Sequence, residues 1–244
     1  MTYPGFRQTL LWLTFFSIAM AFLESAVVVY LRELYYPQGF GFPLVTMPGR
    51  IAVTEILREM ATIIMLLAAG YLSGRNVGQR FAWFIFGFAV WDIFYYVFLK
   101  LLVNWPESLL TWDILFLIPV VWTSPVIAPI GVSLTMILLA ATILHFENAG
   151  ITVAGGRVVK LCIIAGAFLV FLSFIRDYSA YLITHHPPGT ILQPEASSRA
   201  FTQYIPDTFS WWLFLAGEVV ILTGIVLLCI ENLKKRTHDI HNQI

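Results

Sequence analysis

The sequence predicts an all-α, polytopic integral membrane protein, and three observations support this prediction. The first is composition, since 59% of the 244 residues are hydrophobic and only 11% are charged, with a mean hydropathy of +0.82. A soluble domain carries about 25% charged residues, so an ordinary soluble protein is excluded. The second is a set of apolar runs that exceed the roughly 20 residues a helix needs to cross the hydrocarbon core. The third is the concentration of Lys and Arg in the loops of one side.

The apolar runs predict six transmembrane helices in one domain that comprises residues 1–244. The predicted helices are 10–32, 52–73, 81–103, 122–146, 158–176 and 209–230. They leave three outer loops, which are 33–51, 104–121 and 177–208. The first run extends from Leu10 past Val29, which is too long for the apolar region of a signal peptide, so we expect it to remain as a helix.

The positions of Lys and Arg predict that both termini are cytoplasmic. In this orientation the inner side holds eight of the 14 basic residues, namely Arg7, Arg75, Arg80, Arg157, Lys160, Lys234, Lys235 and Arg236. Basic residues are enriched in the cytoplasmic loops of membrane proteins, and an even number of helices returns the chain to the side where it began. We therefore expect a multi-pass protein of the cell membrane, surrounded by the lipid bilayer and without a nucleic-acid partner.

The stretch between the third and fourth predicted helices is irregular. The apolar run that begins at Leu109 is too long for one crossing, and Pro119 and Pro125 interrupt it. Ser108 or Asn104 has the position of an N-cap residue before an apolar run. These features predict a short half-helix at 107–118 on the outer side, followed by a break and the fourth helix. Two placements stay open, because the half-helix could be re-entrant under cover of protein or lie flat at the interface.

Charged side chains within the apolar segments are the main indication of function. A charge in hydrocarbon costs about 3 to more than 10 kcal/mol, so such residues usually face a bundle interior or an aqueous cavity. The residues of this kind are Glu24, Glu55, Arg58, Glu59, Asp92 and Glu218. A rise of about 1.5 Å per residue places the acids in the outer half of the membrane, on four different helices. We therefore predict an acidic pocket at that level.

Helical spacing assigns further polar residues to this pocket. Glu55, Arg58 and Glu59 share one face of the second helix because they are spaced i, i+3 and i+4. A second polar stripe with the same spacing lies on the third helix and consists of Asp92, Tyr95, Tyr96 and Lys100. Asp113, on the predicted half-helix, would close the pocket.

The predicted layer contains five acids and one firmly placed base, Arg58, so it carries an excess of negative charge. Protonated carboxyls or a bound cation would relieve the excess, and ion pairs that only fix helix packing are the structural alternative. Oxygen ligands suit hard divalent cations, and the candidate metal ligands are Glu24, Glu59, Asp92 and Glu218. No His lies in the outer half of a predicted helix, so haem is not expected. The sequence assigns no catalytic residue.

Three functional hypotheses follow from these features. The first, which we favour, is a non-enzymatic membrane protein whose acidic pocket binds or conducts a cation or protons. The second is an accessory transmembrane subunit of a larger respiratory or photosynthetic complex, or of an assembly of copies of this chain. The third is an outward-facing membrane enzyme with a carboxylate-bound metal.

Overall fold

The computed structural model describes residues 5–118, 120–153, 155–185 and 201–241 and confirms the all-α class. The long helices are α1 (Phe6–Tyr35), α2 (Gly49–Ser73), α3 (Val77–Val103), α4 (Ile127–Asn148), α5 (Arg157–His185) and α6 (Trp211–His241). Two short strands, β1 (Trp112–Phe116) and β2 (Trp122–Pro125), lie between α3 and α4. Most of the outer loop predicted at 177–208 falls on α5 or outside the described residues, because α5 continues to His185.

Within the described part of the chain, five helices are long and apolar enough to cross a membrane. They are α1, α3, α4, α5 and α6 up to Thr237. The expected multi-pass membrane protein is therefore supported. The second predicted crossing corresponds to α2, which is 25 residues long but carries Glu55, Arg58 and Glu59 and is not among the five.

The predicted half-helix at 107–118 is wrong, because the structure has an antiparallel hairpin there. Asp113 in β1 pairs with Ser124 in β2, and a bulge follows Ile114. Ser108 does not cap a helix but closes a turn, since its hydroxyl accepts a bond from Leu110 N at 3.2 Å. Aromatic and β-branched residues make up most of β1 and half of β2, and these residue types favour a pleated, half-buried surface over a helix. For the same reason α4 begins at Ile127 rather than at residue 122.

The hairpin is fastened to α5 by a buried polar cluster. Tyr204 donates to Asp177 on α5 at 2.6 Å, and its hydroxyl also lies 2.9 Å from Thr123 Oγ1 in β2. Tyr204 and Thr123 are almost fully buried. Burial raises the pKa of the Tyr204 hydroxyl, which therefore stays protonated and available as a donor.

Helix α3 occupies the centre of the bundle, with α1, α2 and α4 packed against it. Helices α5 and α6 form the most extensive pair and join the rest through α4 and β2. By contrast, α1 and α2 contact each other sparsely although both pack along α3. This separation leaves space between them that the functional site occupies.

Two glycines allow α5 and α6 to approach closely. A Cβ on Gly166 would lie 2.7 Å from the carbonyl oxygen of Gly217, and a Cβ on Gly217 would lie 2.8 Å from that of Gly166. Small residues of this kind let membrane helices pack backbone against backbone.

We expect Gly166→Ala to destabilise the folded protein by about 1–3 kcal/mol, because the added methyl group collides with backbone. Gly131→Ala is the matched control, since its Cβ would lie at an ordinary 3.5 Å from Phe214. Thermal unfolding of both variants in detergent measures the difference. Equal midpoints for the two variants would show that the close approach does not contribute to stability.

Candidate functional site

A cavity of about 850 Å³ lies between α1, α2, α3 and the hairpin. Its α1 wall consists of Glu24, Val28, Leu31 and Arg32, which share one face at spacings of four, seven and eight residues. One face of α2 forms the opposite wall, and Trp91 and Tyr95 contribute from α3. Volumes of about 300–1,000 Å³ are typical of sites for organic ligands.

Arg58 holds together the charged floor of the cavity. Its Nε donates to Glu55 Oε2 at 2.9 Å, and its Nη2 lies 2.7 Å from the same oxygen. Its Nη1 pairs with Glu24 on α1, which also accepts a bond from Thr62 Oγ1 at 3.2 Å. One guanidinium thus serves two carboxylates, so this group carries one net negative charge when both are ionised.

Glu59 is the next carboxylate of the α2 wall, and it is 7% exposed. Its Oε2 accepts a hydrogen bond from the backbone N–H of Leu117, at the turn of the hairpin, at 3.0 Å. Among the described residues, no Lys, Arg or His nitrogen lies within 4.0 Å of it. Glu59 is therefore a cavity carboxylate with a backbone donor but without a cationic partner in that part of the chain.

Arg32 and Asp113 form a second ion pair at the end of the cavity away from the charged floor, with Nη2 and Oδ1 3.6 Å apart. The guanidinium lies between two rings, 4.3 Å from the centroid of Phe40 and 3.8 Å from that of Trp105. Tyr96 donates to the other oxygen of Asp113 at 3.2 Å. Asp113 belongs to the hairpin rather than to a spanning helix. Burial raises its pKa to about 6, against the opposing effect of Arg32.

The structure brings together only part of the predicted polar network. The predicted residues that line the cavity are Glu24, Glu55, Arg58, Glu59, Tyr95 and Asp113. Tyr96 lies behind the wall and reaches the cavity through Asp113. Lys100 points to the surface instead, where its Nζ donates to the carbonyl of Pro106 at 2.9 Å.

Asp92 and Glu218 lie apart from the cavity because both face α4. Asp92 accepts a bond from Ser133 at 2.8 Å, and Glu218 accepts one from Thr135 at 2.6 Å. The four carboxylates Glu24, Glu59, Asp92 and Glu218, considered as metal ligands, are thus not assembled in one place. In the described residues, no group of three or more His, Cys, Asp or Glu side chains is arranged to hold a metal ion.

Helical spacing places Arg32, eight residues after Glu24, on the same face of the first helix, and both line the cavity in the structure. The backbone N–H of Leu117 had no signal in the sequence, since its position depends on a hairpin where a helix was expected.

No protein-family model matches the chain, and comparisons with curated proteins and with solved structures found no match. The functional conclusion therefore depends on the cavity and its side chains.

Arg58→Met is expected to destabilise the protein by about 3–5 kcal/mol, because it leaves two carboxylates buried without their counter-charge. Adding Glu24→Gln and Glu55→Gln to this variant should restore much of the loss, since the uncompensated charge is then gone. Unfolding in detergent measures both effects.

Arg50→Met is the matched control, because Arg50 is an exposed residue on the same helix. Equal losses for the Arg58 and Arg50 variants would contradict the role assigned to the charged floor.

Proposed function

We propose that this protein crosses the membrane six times, with both termini inside, and that its cavity binds the cationic group of an organic molecule. In this proposal α2 is the sixth crossing, and the cavity occupies the outer half of the bilayer. The topology of the chain and the ligand of the cavity have separate support and separate tests.

The length and surface of α2 support a sixth crossing. Its 25 residues span about 37 Å, which exceeds the thickness of the hydrocarbon core. Glu55, Arg58 and Glu59 face the cavity. By contrast, large apolar side chains such as Leu57, Ile64 and Leu72 are more than half exposed. These side chains would contact lipid in a helix that crosses the bilayer.

Glu59 is the observation that carries the ligand assignment. Arg58 is already shared by Glu24 and Glu55, so it is not a dedicated partner for the third carboxylate of α2. Together with Asp113 and Arg32, the cavity lining contains four carboxylates and two guanidiniums. Its net charge is therefore 2 − 4 = −2 when all six groups are ionised. A positively charged group is the ligand that this imbalance favours.

The size and walls of the cavity favour an organic cation over a bare metal ion. Between the charged floor and Arg32 the walls are mostly aliphatic, and Trp91 and Tyr95 add aromatic surface. Aromatic rings attract organic cations such as ammonium groups. The carboxylates near the floor accept hydrogen bonds from different donors and do not converge on one point, as metal ligands would. This arrangement agrees with a ligand larger than a metal ion.

The inner side of the cavity favours binding over conduction. Met20, Ala21 and Leu66 pack with Trp91 into a buried apolar cluster. Met20 is about one turn inward of Glu24 on α1, and Leu66 is one turn inward of Thr62 on α2. The cluster therefore continues the two walls towards the inner side without polar groups that would carry an ion or a proton.

The ligand assignment is tested by isothermal titration calorimetry, in which hexylammonium is added to the full chain in non-ionic detergent. Glu59→Gln should weaken binding by about tenfold or more, because a charge-assisted bond contributes about 1.5–3 kcal/mol. Glu33→Gln should bind as the wild type does, since Glu33 is exposed at the end of α1 and does not line the cavity. Hexanol, the neutral analogue, should show no dependence on Glu59. Equal affinity of both variants for hexylammonium would exclude Glu59 as the cation site.

Topology is tested by labelling with a membrane-impermeant maleimide in a background that carries Cys162→Ala and Cys229→Ala. Gln38 and Arg75 are exposed and flank α2 at its two ends. Gln38→Cys should react in intact cells, and Arg75→Cys should react only after permeabilisation. Labelling of both from the same side would show that α2 does not cross.

A further inference from the structure

We infer that the ligand is a membrane-dissolved amphiphile with an amine head group, bound with its amine at Glu59 and its hydrocarbon chain in a slit along the edge of α2 that carries Ile56. This inference depends on the proposed function, because it takes the cationic group at Glu59 as given. It adds the class of molecule and the side from which the cavity is reached.

The cavity behind this slit results from the way α1 and α2 pack. Both helices lie along α3, but they contact each other sparsely. At the floor they are joined by the Glu24–Arg58 pair and by the bond from Thr62 to Glu24. Outward from this joint, the cavity separates apolar residues of α1, such as Leu31, from apolar residues of α2, such as Ile56.

The exposed residues of the cavity lining all lie along the edge of α2. They are Thr46, Gly49 and Ile56, the last of which is 38% exposed. From Gly49 to Ile56 the helix rises about 10 Å, so the opening is elongated along α2. On the opposite side of the cavity, Val121 and Tyr178 are buried. The cavity is therefore open along one edge and closed behind it.

The surface around this opening is apolar. On α2, Val53 and Leu57 flank Ile56 and are 57% and 58% exposed. Side chains of this kind on a membrane helix contact lipid, so the slit faces the hydrocarbon of the outer leaflet rather than water.

The aqueous side of the cavity is covered by the segment 36–45. Tyr36 OH accepts a hydrogen bond from Val45 N at 2.9 Å, which ties the two ends of the segment together. Within the segment, Leu44 is 3% exposed, and Phe40 packs against both Arg32 and Trp105. A ligand that arrives through the slit must be soluble in hydrocarbon, whereas the floor requires a positive charge.

An amphiphilic amine satisfies both requirements. Its ammonium group would pair with Glu59, and its chain would lie against Leu31 and Ile56 and continue into the bilayer. Two sources offer this chemistry, namely single-chain amines dissolved in the membrane and phospholipids with an ethanolamine head group.

The experiment uses the full chain in phosphatidylcholine nanodiscs and measures bound radiolabelled hexadecylammonium and hexylammonium by scintillation proximity. Ile56→Trp should reduce hexadecylammonium binding by at least about tenfold, because the indole fills the slit that the chain occupies. It should lower hexylammonium binding by a much smaller factor, because most of the short chain fits inside the cavity. Val53→Trp is the matched control, since Val53 is exposed on the same helix but does not line the cavity, and it should change neither.

The outcomes separate this inference from the proposed function. Equal effects of the two Trp substitutions, or binding of hexylammonium without hexadecylammonium, would overturn the amphiphile while leaving Glu59 as a cation site. Failure of both amines to bind would overturn the proposed function itself. Displacement of hexadecylammonium by phosphatidylethanolamine would support the inference with a phospholipid as the source, and binding without displacement would support it with a single-chain amine.

Discussion

The organisation of the site depends on the guanidinium of Arg58. It joins α1 to α2 through Glu24 and at the same time neutralises Glu55 on its own helix. Because these two helices otherwise touch sparsely, the ion pair is the strongest described link between them. A buried pair of this kind adds little net stability compared with apolar packing, but loss of one partner is costly. The arrangement therefore specifies the position of α2 more than it stabilises the bundle.

The consequence for the cavity is a charged floor under apolar walls. The floor lies about 12 Å inward of Arg32, since eight residues of α1 separate Arg32 from Glu24. At the outer end a second guanidinium is fixed by Asp113 and by the rings of Phe40 and Trp105. Two ion pairs thus define the ends of the space, and the residues between them are those that a hydrocarbon chain can contact.

The sequence was sufficient to predict the helical class, the five helices that are apolar enough to cross a membrane and much of the charged face of α2, because all three depend on local sequence patterns. Glu55, Arg58 and Glu59 were grouped by their spacing alone, and all three line the cavity. The neighbours of Asp92 and Glu218 could not be predicted in this way. Depth places a residue at a level in the membrane but does not say which helix it faces, and here α4 provides Ser133 and Thr135 as partners.

The hairpin was missed for a different reason. Its N-terminal turn carries Ser108 at the position of a helix cap, while the strands are specified by aromatic and β-branched residues whose pairing is non-local. The spacing of residues within one segment does not show which other segment it will pair with. Because the hairpin was not predicted, the hydrogen bond from Leu117 N to Glu59 could not be predicted either.

The bond from Leu117 to Glu59 has a consequence for the hairpin as a sheet. A two-stranded sheet leaves unpaired backbone groups beyond its ladder, and such groups are costly in a membrane environment where water is scarce. The carboxylate of Glu59 substitutes for a neighbouring strand at Leu117. Only one carboxylate oxygen of Glu59 accepts this bond. The same side chain can therefore complete the hairpin with one oxygen while its second oxygen stays available to another partner.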